Sequence, residues 1–338
     1  MPQKRIAVTL PAGPRIEDTV ERIRWAEENG IPDAWFSDSG APDTLTQVAG
    51  IAHQTTSIRI GTAVTPVYTR SPSVLAASAN VIGQLLPNRF IMGLGSSSQT
   101  IMGQFNGIPL DKPLTRVRET AELVRTMLTG AKTDYDGETV FSRGYRQAPM
   151  EHPTPIYLAA LRPKMIEMAA EVGDGVIFNL WPKGALPKMM EHVAIGAKIA
   201  GKDPASVEIV NRAMVLCTDD KEYGRNLFRA AFGPYYATPV YNKFLAWAGY
   251  GESAEQITEG WAAKDRAKTA NAMTDEMIDE IAIIGNEDEI RQRIQEDADG
   301  GVDTHIIAPL AGNREDVERT FAAFTADQFK FVQLRVAR

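Results

Sequence analysis

The chain is poor in the residues that build metal and disulfide sites. Of its 338 residues only Cys217 is cysteine, which excludes an intramolecular disulfide framework and any Cys-rich zinc site. The four histidines, His53, His152, His192 and His305, stand far apart, with no HxxxH or HxH spacing, so no local metal site is expected. Basic charge is also in deficit: 36 Lys and Arg against 43 Asp and Glu leave a net charge of −7. A dominant nucleic-acid role would favour a basic face to meet phosphates, and this balance argues against one. No run approaches the ~20 apolar residues that span a bilayer. Ile6–Leu10 is too short for a signal h-region and no A-x-A site follows it, so it reads as a buried strand and the chain as cytoplasmic. A full dinucleotide fingerprint is missing too. Gly93-Leu94-Gly95 supplies only G-x-G, and Ser98 stands at its third glycine.

What is present is a regular alternation of short apolar runs and longer amphipathic segments. Strands are expected over Arg5–Leu10, Ala34–Ser37, Ile58–Thr65, Phe90–Leu94, Ile156–Ala160, Gly175–Leu180, Val207–Leu216 and Gly301–Ala308. Several are continuous apolar runs, as parallel strands buried on both faces should be. Helical spacing occupies Ile16–Gly30, Leu45–Gln54, the segment from Pro72 to Leu86, and Leu114–Leu128. It returns over Pro163–Val172, Met189–Ala200 and Arg314–Ala326. Eight β/α units point to a TIM (β/α)8 barrel in one domain, residues 1–338, with a doubly wound sheet as the alternative.

Two insertions are expected. Tyr135-Asp136-Gly137-Glu138 marks the turn of a small hairpin within 134–147. The larger lies between strands seven and eight, over 219–285, where Tyr235, Tyr236, Tyr241, Phe244, Trp247 and Trp261 crowd together. These aromatics fit an extra helical layer with its own core, or a lid over the barrel mouth.

A TIM barrel carries its chemistry at the C-terminal ends of the strands. Here those ends are small, hydroxylated or glycine-rich, with one acid, Asp38, and one arginine, Arg162. Small residues let a flat ring approach the backbone, and N–H groups and hydroxyls can bind its polar edge or a phosphate. Arg162 stands at a predicted helix start, where guanidinium and helix N-terminus together meet an anion.

The segments from Ile60 to Pro72, Asn88 to Gly95, Pro155 to Met165 and Val172 to Ile177 resemble the bacterial luciferase-like family. The closest likeness is to its coenzyme F420-dependent branch, and it runs over nearly the whole chain. Tyr236-x-x-Pro239-x-Tyr241 also looks like the family's insertion. The resemblance implies a barrel that binds a deazaflavin at the strand ends. It implies a non-prolyl cis peptide at Ala63–Val64, so that Ala63, Val64 and Thr65 form a bulge behind the ring, with Val64 the contact. It places Asp38 at the reactive region as the catalytic residue, and Ser96, Ser97 and Ser98 beside the cofactor tail or substrate. Ala159, Ala160, Leu161 and Arg162 would meet the phosphate, and Asn179 another part of the tail.

The chain also departs from the branch. Its sugar-phosphate dehydrogenases carry a histidine and a glutamate where this sequence has Ser39 and Ser98. Neither serine can act as a near-neutral base. Hydride donation to an activated alkene, imine or carbonyl asks less of the protein, and Asp38, Tyr68 or a water held by Ser39 could supply the proton. The expected activity is therefore an F420-dependent oxidoreductase acting as a reductase on a small organic substrate. The alternatives are an FMN-dependent monooxygenase and a non-catalytic cofactor carrier. The family also implies a homodimer through the helices Leu45–Gln54 and Val74–Leu86.

Overall fold

The computed structural model describes residues 2–11, 15–38 and 42–332. Eight parallel strands, β1 (Arg5–Thr9), β2 (Asp33–Phe36), β3 (Arg59–Thr62), β4 (Phe90–Gly95), β5 (Ile156–Ala159), β6 (Gly175–Asn179), β7 (Glu208–Cys217) and β8 (Thr304–Pro309), follow one another through helices. Because β8 joins β7 to β1 and β6 pairs with both β5 and β7, the sheet closes on itself as a TIM barrel, and the doubly wound alternative is excluded.

Local signals explain several helix starts. Ser71 accepts the Val74 N–H at 3.4 Å and Pro72 occupies the first turn of the helix Pro72–Leu85. Asn286 and Glu289 form a capping box before the helix Glu287–Asp299, a signature that the sequence reading passed over. The expected helix Leu45–Gln54 is divided into an α-helix, Thr44–Ile51, and a 3-10 turn, Ala52–Gln54. The hairpin pairs Asp134–Asp136 with Phe141–Arg143. Its turn is fixed by the Glu119 carboxylate, which accepts the Glu138 and Thr139 N–H groups at 2.7 Å each.

Two strands depart from expectation. β3 stops at Thr62 and resumes as Thr65–Pro66, which pairs with Leu94–Gly95; the Ala63–Val64 peptide bond between them is cis. β8 begins only at Thr304, because Gly301 is spent in a turn with φ +111°. A further parallel strand, Ile283–Gly285, pairs with Val215–Cys217 and was not anticipated.

Period-two alternation turns Trp35, Ile91, Tyr157, Ile177, Val210 and Ile306 into the barrel. Trp35 fits because β3 offers Gly61 opposite it: a Cβ there would stand 2.5 Å from the indole. Below this layer, Arg59 binds Asp33 at 2.5 Å and Glu208 at 2.7 Å, and the Tyr157 hydroxyl donates to Glu208 at 2.5 Å. Burial opposes the Arg59 charge, but the two carboxylates hold the guanidinium above its usual range. This polar plug closes the N-terminal end, where the fold needs stability rather than chemistry.

Between β7 and β8 the chain forms the helices Lys221–Tyr236, Pro239–Trp247, Gly251–Ala262, Arg266–Asn271 and Asp275–Ile281 before Glu287–Asp299. Phe228, Tyr236, Leu245, Ile257 and Met277 pack there as a second core beside the barrel.

Candidate active site at the barrel mouth

The strand ends surround a cavity of about 520 Å³, within the range of small-molecule sites. Ala63 and Val64 form part of its wall on the β3 side. Gly95 at the end of β4 makes room for them: a Cβ there would stand 2.6 Å from Val64 Cγ2 and 3.1 Å from Ala159 Cβ. Thr65 does not line the cavity. It is fully buried, because the chain has by then re-entered the sheet beside Leu94, and its hydroxyl has no hydrogen-bond partner.

Asp38 follows β2 and also lines the cavity, with its side chain 2% exposed. Its carboxylate meets Arg70 Nη1 at 3.0 Å, and the same guanidinium pairs with Asp43. Burial works against the Arg70 charge, yet these carboxylates raise its pKa. Arg70 lay inside the motif read from the sequence but had no role assigned. Ser39 and Gly40 lie outside the described residues, so the water site expected at Ser39 is not described. Tyr68 is committed elsewhere: its hydroxyl donates to the Asp111 carbonyl at 2.7 Å, and it is not part of the cavity wall.

On the next side stand Ser96, Ser97 and Ser98. Ser97 has φ +61°, which turns the chain sharply after β4. The Ser98 hydroxyl accepts the Ile101 N–H at 3.2 Å. Ala159, Ala160, Leu161 and Arg162 continue the wall from β5. Arg162 is the N-cap of the helix Pro163–Val172 and makes no side-chain cap bond. It is exposed and has no ion pair among the described residues, so guanidinium and helix N-terminus are both open to an anion.

The far wall comes from β6 and β7. Asn179 and Arg212 are register partners, so they share the inner face. The Asn179 amide donates to the Tyr241 hydroxyl at 3.0 Å. Arg212 was missed by the sequence reading, although one cation inside the apolar run Val207–Leu216 was its signal. Phe232, Tyr235, Val240 and Tyr241 close the wall from the helices after β7. The aromatic segment is therefore divided. Tyr236 is fully buried and donates to the Leu180 carbonyl at 3.1 Å, Phe244 is core, and Trp261 is exposed.

Among the described residues, no group of three or more His, Cys, Asp or Glu could hold a metal ion. No described helix is long and apolar enough to cross a membrane.

The family model for luciferase-like monooxygenases matches residues 2–304. The 5,10-methylenetetrahydromethanopterin reductase of Methanolobus tindarius is 31% identical over 295 residues, 86% of this chain and 90% of the relative. The enzyme of the same name from Archaeoglobus fulgidus is 30% identical over 294 residues, 85% and 87% of the two chains. Among solved structures, the coenzyme F420 dependent tetrahydromethanopterin reductase from Methanopyrus kandleri superposes with a TM-score of 0.81 at 21% identity, covering 96% of this chain and 98% of that one. That likeness is one of fold. With the family model matched along most of its length, this chain belongs to the luciferase-like monooxygenase family.

Proposed function

We propose that the protein is a coenzyme F420-dependent oxidoreductase that reduces a small organic substrate. The observation that carries the reading is the cavity at the strand ends, where Val64 beside the cis bond, the serine turn and Arg162 at its helix N-terminus share one space. Relatives and solved neighbours whose own names carry coenzyme F420 support this choice of cofactor.

The residues present fit such a group. Gly95 keeps the wall beside Val64 free of a side chain that would crowd it. The Asn179 Oδ1 is sealed from solvent without a partner, as a ligand contact would be before binding. Ala63 and Val64 would back the ring. Arg162, the Lys164 N–H in the first turn of the helix Pro163–Val172, and Ser96–Ser98 would hold the anionic tail. When bound, the reduced deazaflavin supplies hydride. Asp38, fixed by Arg70, positions polar groups of cofactor or substrate beside it. Neither Ser98 nor any described histidine in the cavity wall offers a near-neutral base. That favours reduction over alcohol oxidation.

The whole chain works as one barrel domain in this proposal. The helices over 219–285 are its largest insertion and supply the aromatic wall of the pocket. A second copy would dock on the helix Pro72–Leu85, where Val74 and Val81 are about half exposed.

The test is a fluorescence titration of the purified chain with F420 and, separately, with FMN. Reduced F420 is then offered with a panel of activated alkenes, imines and carbonyls. F420 binding and substrate-dependent reoxidation are expected. Tight FMN binding without F420 binding would sink the proposal. F420 binding without turnover on any acceptor would leave a cofactor carrier.

A further inference from the structure

β7 lies four strands from β3 in an eight-stranded barrel, so Arg212 stands across the mouth from Val64. Its surroundings are unusual for a cation. No described carboxylate pairs with it, and its Nη1 meets only the weak acceptor Met214 Sδ at 3.3 Å. Its Nε is sealed from solvent without a partner, as is Oδ1 of Asn179 on the neighbouring strand. An enclosed guanidinium lacking an acceptor is destabilising unless something else meets it. Tyr235 and Tyr241 stand close enough to act on its charge, and Phe232 and Val240 line the same cavity. The Tyr241 oxygen accepts from Asn179, which leaves its own hydrogen to donate.

We propose that Arg212 and the Tyr241 hydroxyl, which Asn179 orients, form a subsite for the carboxylate of an organic substrate whose apolar body lies against Phe232 and Tyr235. The assignment rests on the reading of the barrel mouth as an F420 site and adds the substrate's chemical class to it. A carboxylate is preferred over a phosphate for a physical reason. One planar guanidinium matches one singly charged carboxylate in a two-bond fork, and no second cation stands on this wall; the other cation of the cavity lining, Arg162, is on the β5 side.

The test uses the chain without added cofactor, with benzoate as the anionic probe and benzamide as its neutral counterpart, followed by calorimetry. The unmodified chain binds benzoate at least about tenfold more tightly than benzamide. Arg212→Gln weakens benzoate by about 30-fold or more and leaves benzamide and F420 affinity unchanged. Arg212→Lys keeps the charge but loses the fork, and weakens benzoate less than Arg212→Gln does. Thermal melts separate this role from a structural one: Arg212→Met melts no lower than the unmodified chain, because an unpaired enclosed charge has been removed. Equal benzoate affinity in the unmodified chain and Arg212→Gln overturns the proposal, as does a marked fall in the melting temperature of Arg212→Met. Loss of F420 affinity in Arg212→Gln also overturns it, by assigning the guanidinium to the cofactor. Should the unmodified chain bind benzoate through Arg212 but not F420, the cofactor reading fails alone.

Discussion

Gly95→Ala tests the architecture of the cavity with a single methyl group. The added Cβ would stand 2.6 Å from Val64 Cγ2 and 3.1 Å from Ala159 Cβ. Carbon atoms pack at about 3.5–4.0 Å, so Val64 must give way by about 1 Å. β4 and β5 are paired strands of the closed barrel and cannot spread cheaply. Val64 therefore moves toward the open space it borders, the cavity itself. Overpacking of this kind costs about 1–3 kcal/mol. If most of that cost falls on the bound state, F420 affinity drops by about 5- to 150-fold. Fluorescence titration reads the affinity, and thermal melts of the free chain read what is lost from the fold. Gly50→Ala is the control: its Cβ meets nothing within 4 Å, and alanine within the helix Thr44–Ile51 stabilises by about 0.5–1 kcal/mol. Wild-type F420 affinity in Gly95→Ala would refute the assignment of Val64 and Gly95 to the cofactor wall. A melting loss equal to the whole binding loss would refute it equally.

Asp38→Asn removes the charge that meets Arg70 and should lower kcat/KM by about tenfold or more; steady-state kinetics and an F420 titration that both match the parent would remove Asp38 from the site. Glu119 has a folded pKa below its ordinary 4.5, because the Thr139 hydroxyl and three backbone N–H groups favour the carboxylate more strongly than burial opposes it. Its stabilisation is thus complete above about pH 4.5 and is lost as pH falls through the lower folded value. Amide exchange at Glu138–Val140 should accelerate over that acidic window, and Glu119→Gln should flatten the dependence; a pH-independent pattern in the parent chain contradicts this. Burial pushes the Cys217 thiol up to about 11, so the native chain should resist a thiol reagent at pH 8 that labels the unfolded chain at once. Labelling at equal rates in both states would show the thiol to be accessible.

The order of elements was legible because it depends on neighbours in sequence. Apolar runs separated by amphipathic segments produce the β/α rhythm, and Ser71 with Pro72 marks a helix start that needs no distant partner. Eight such units close in one way, which brought Asp38, Val64, the serines, Arg162 and Asn179 to one end of the barrel. Thr65 fell outside for a local reason that the periodicity could not carry: the chain turns at Ala63–Val64 and Thr65 re-enters the sheet. The capping box at Asn286 was legible but unread.

Tertiary structure decided what depends on register and docking. Arg212 and Asn179 share a face only because β6 and β7 pair at that register, and nothing within either strand fixes it. Arg59, Asp33 and Glu208 come from three strands and find one another only when the barrel closes. The aromatics after β7 have one composition but two fates. How the helix Lys221–Tyr236 lies on its neighbours sends Tyr236 into a core and Tyr235 to the cavity. Local free energies selected the elements. Burial and pairing between distant segments selected which side chains meet, and so where a ligand's charge can be received.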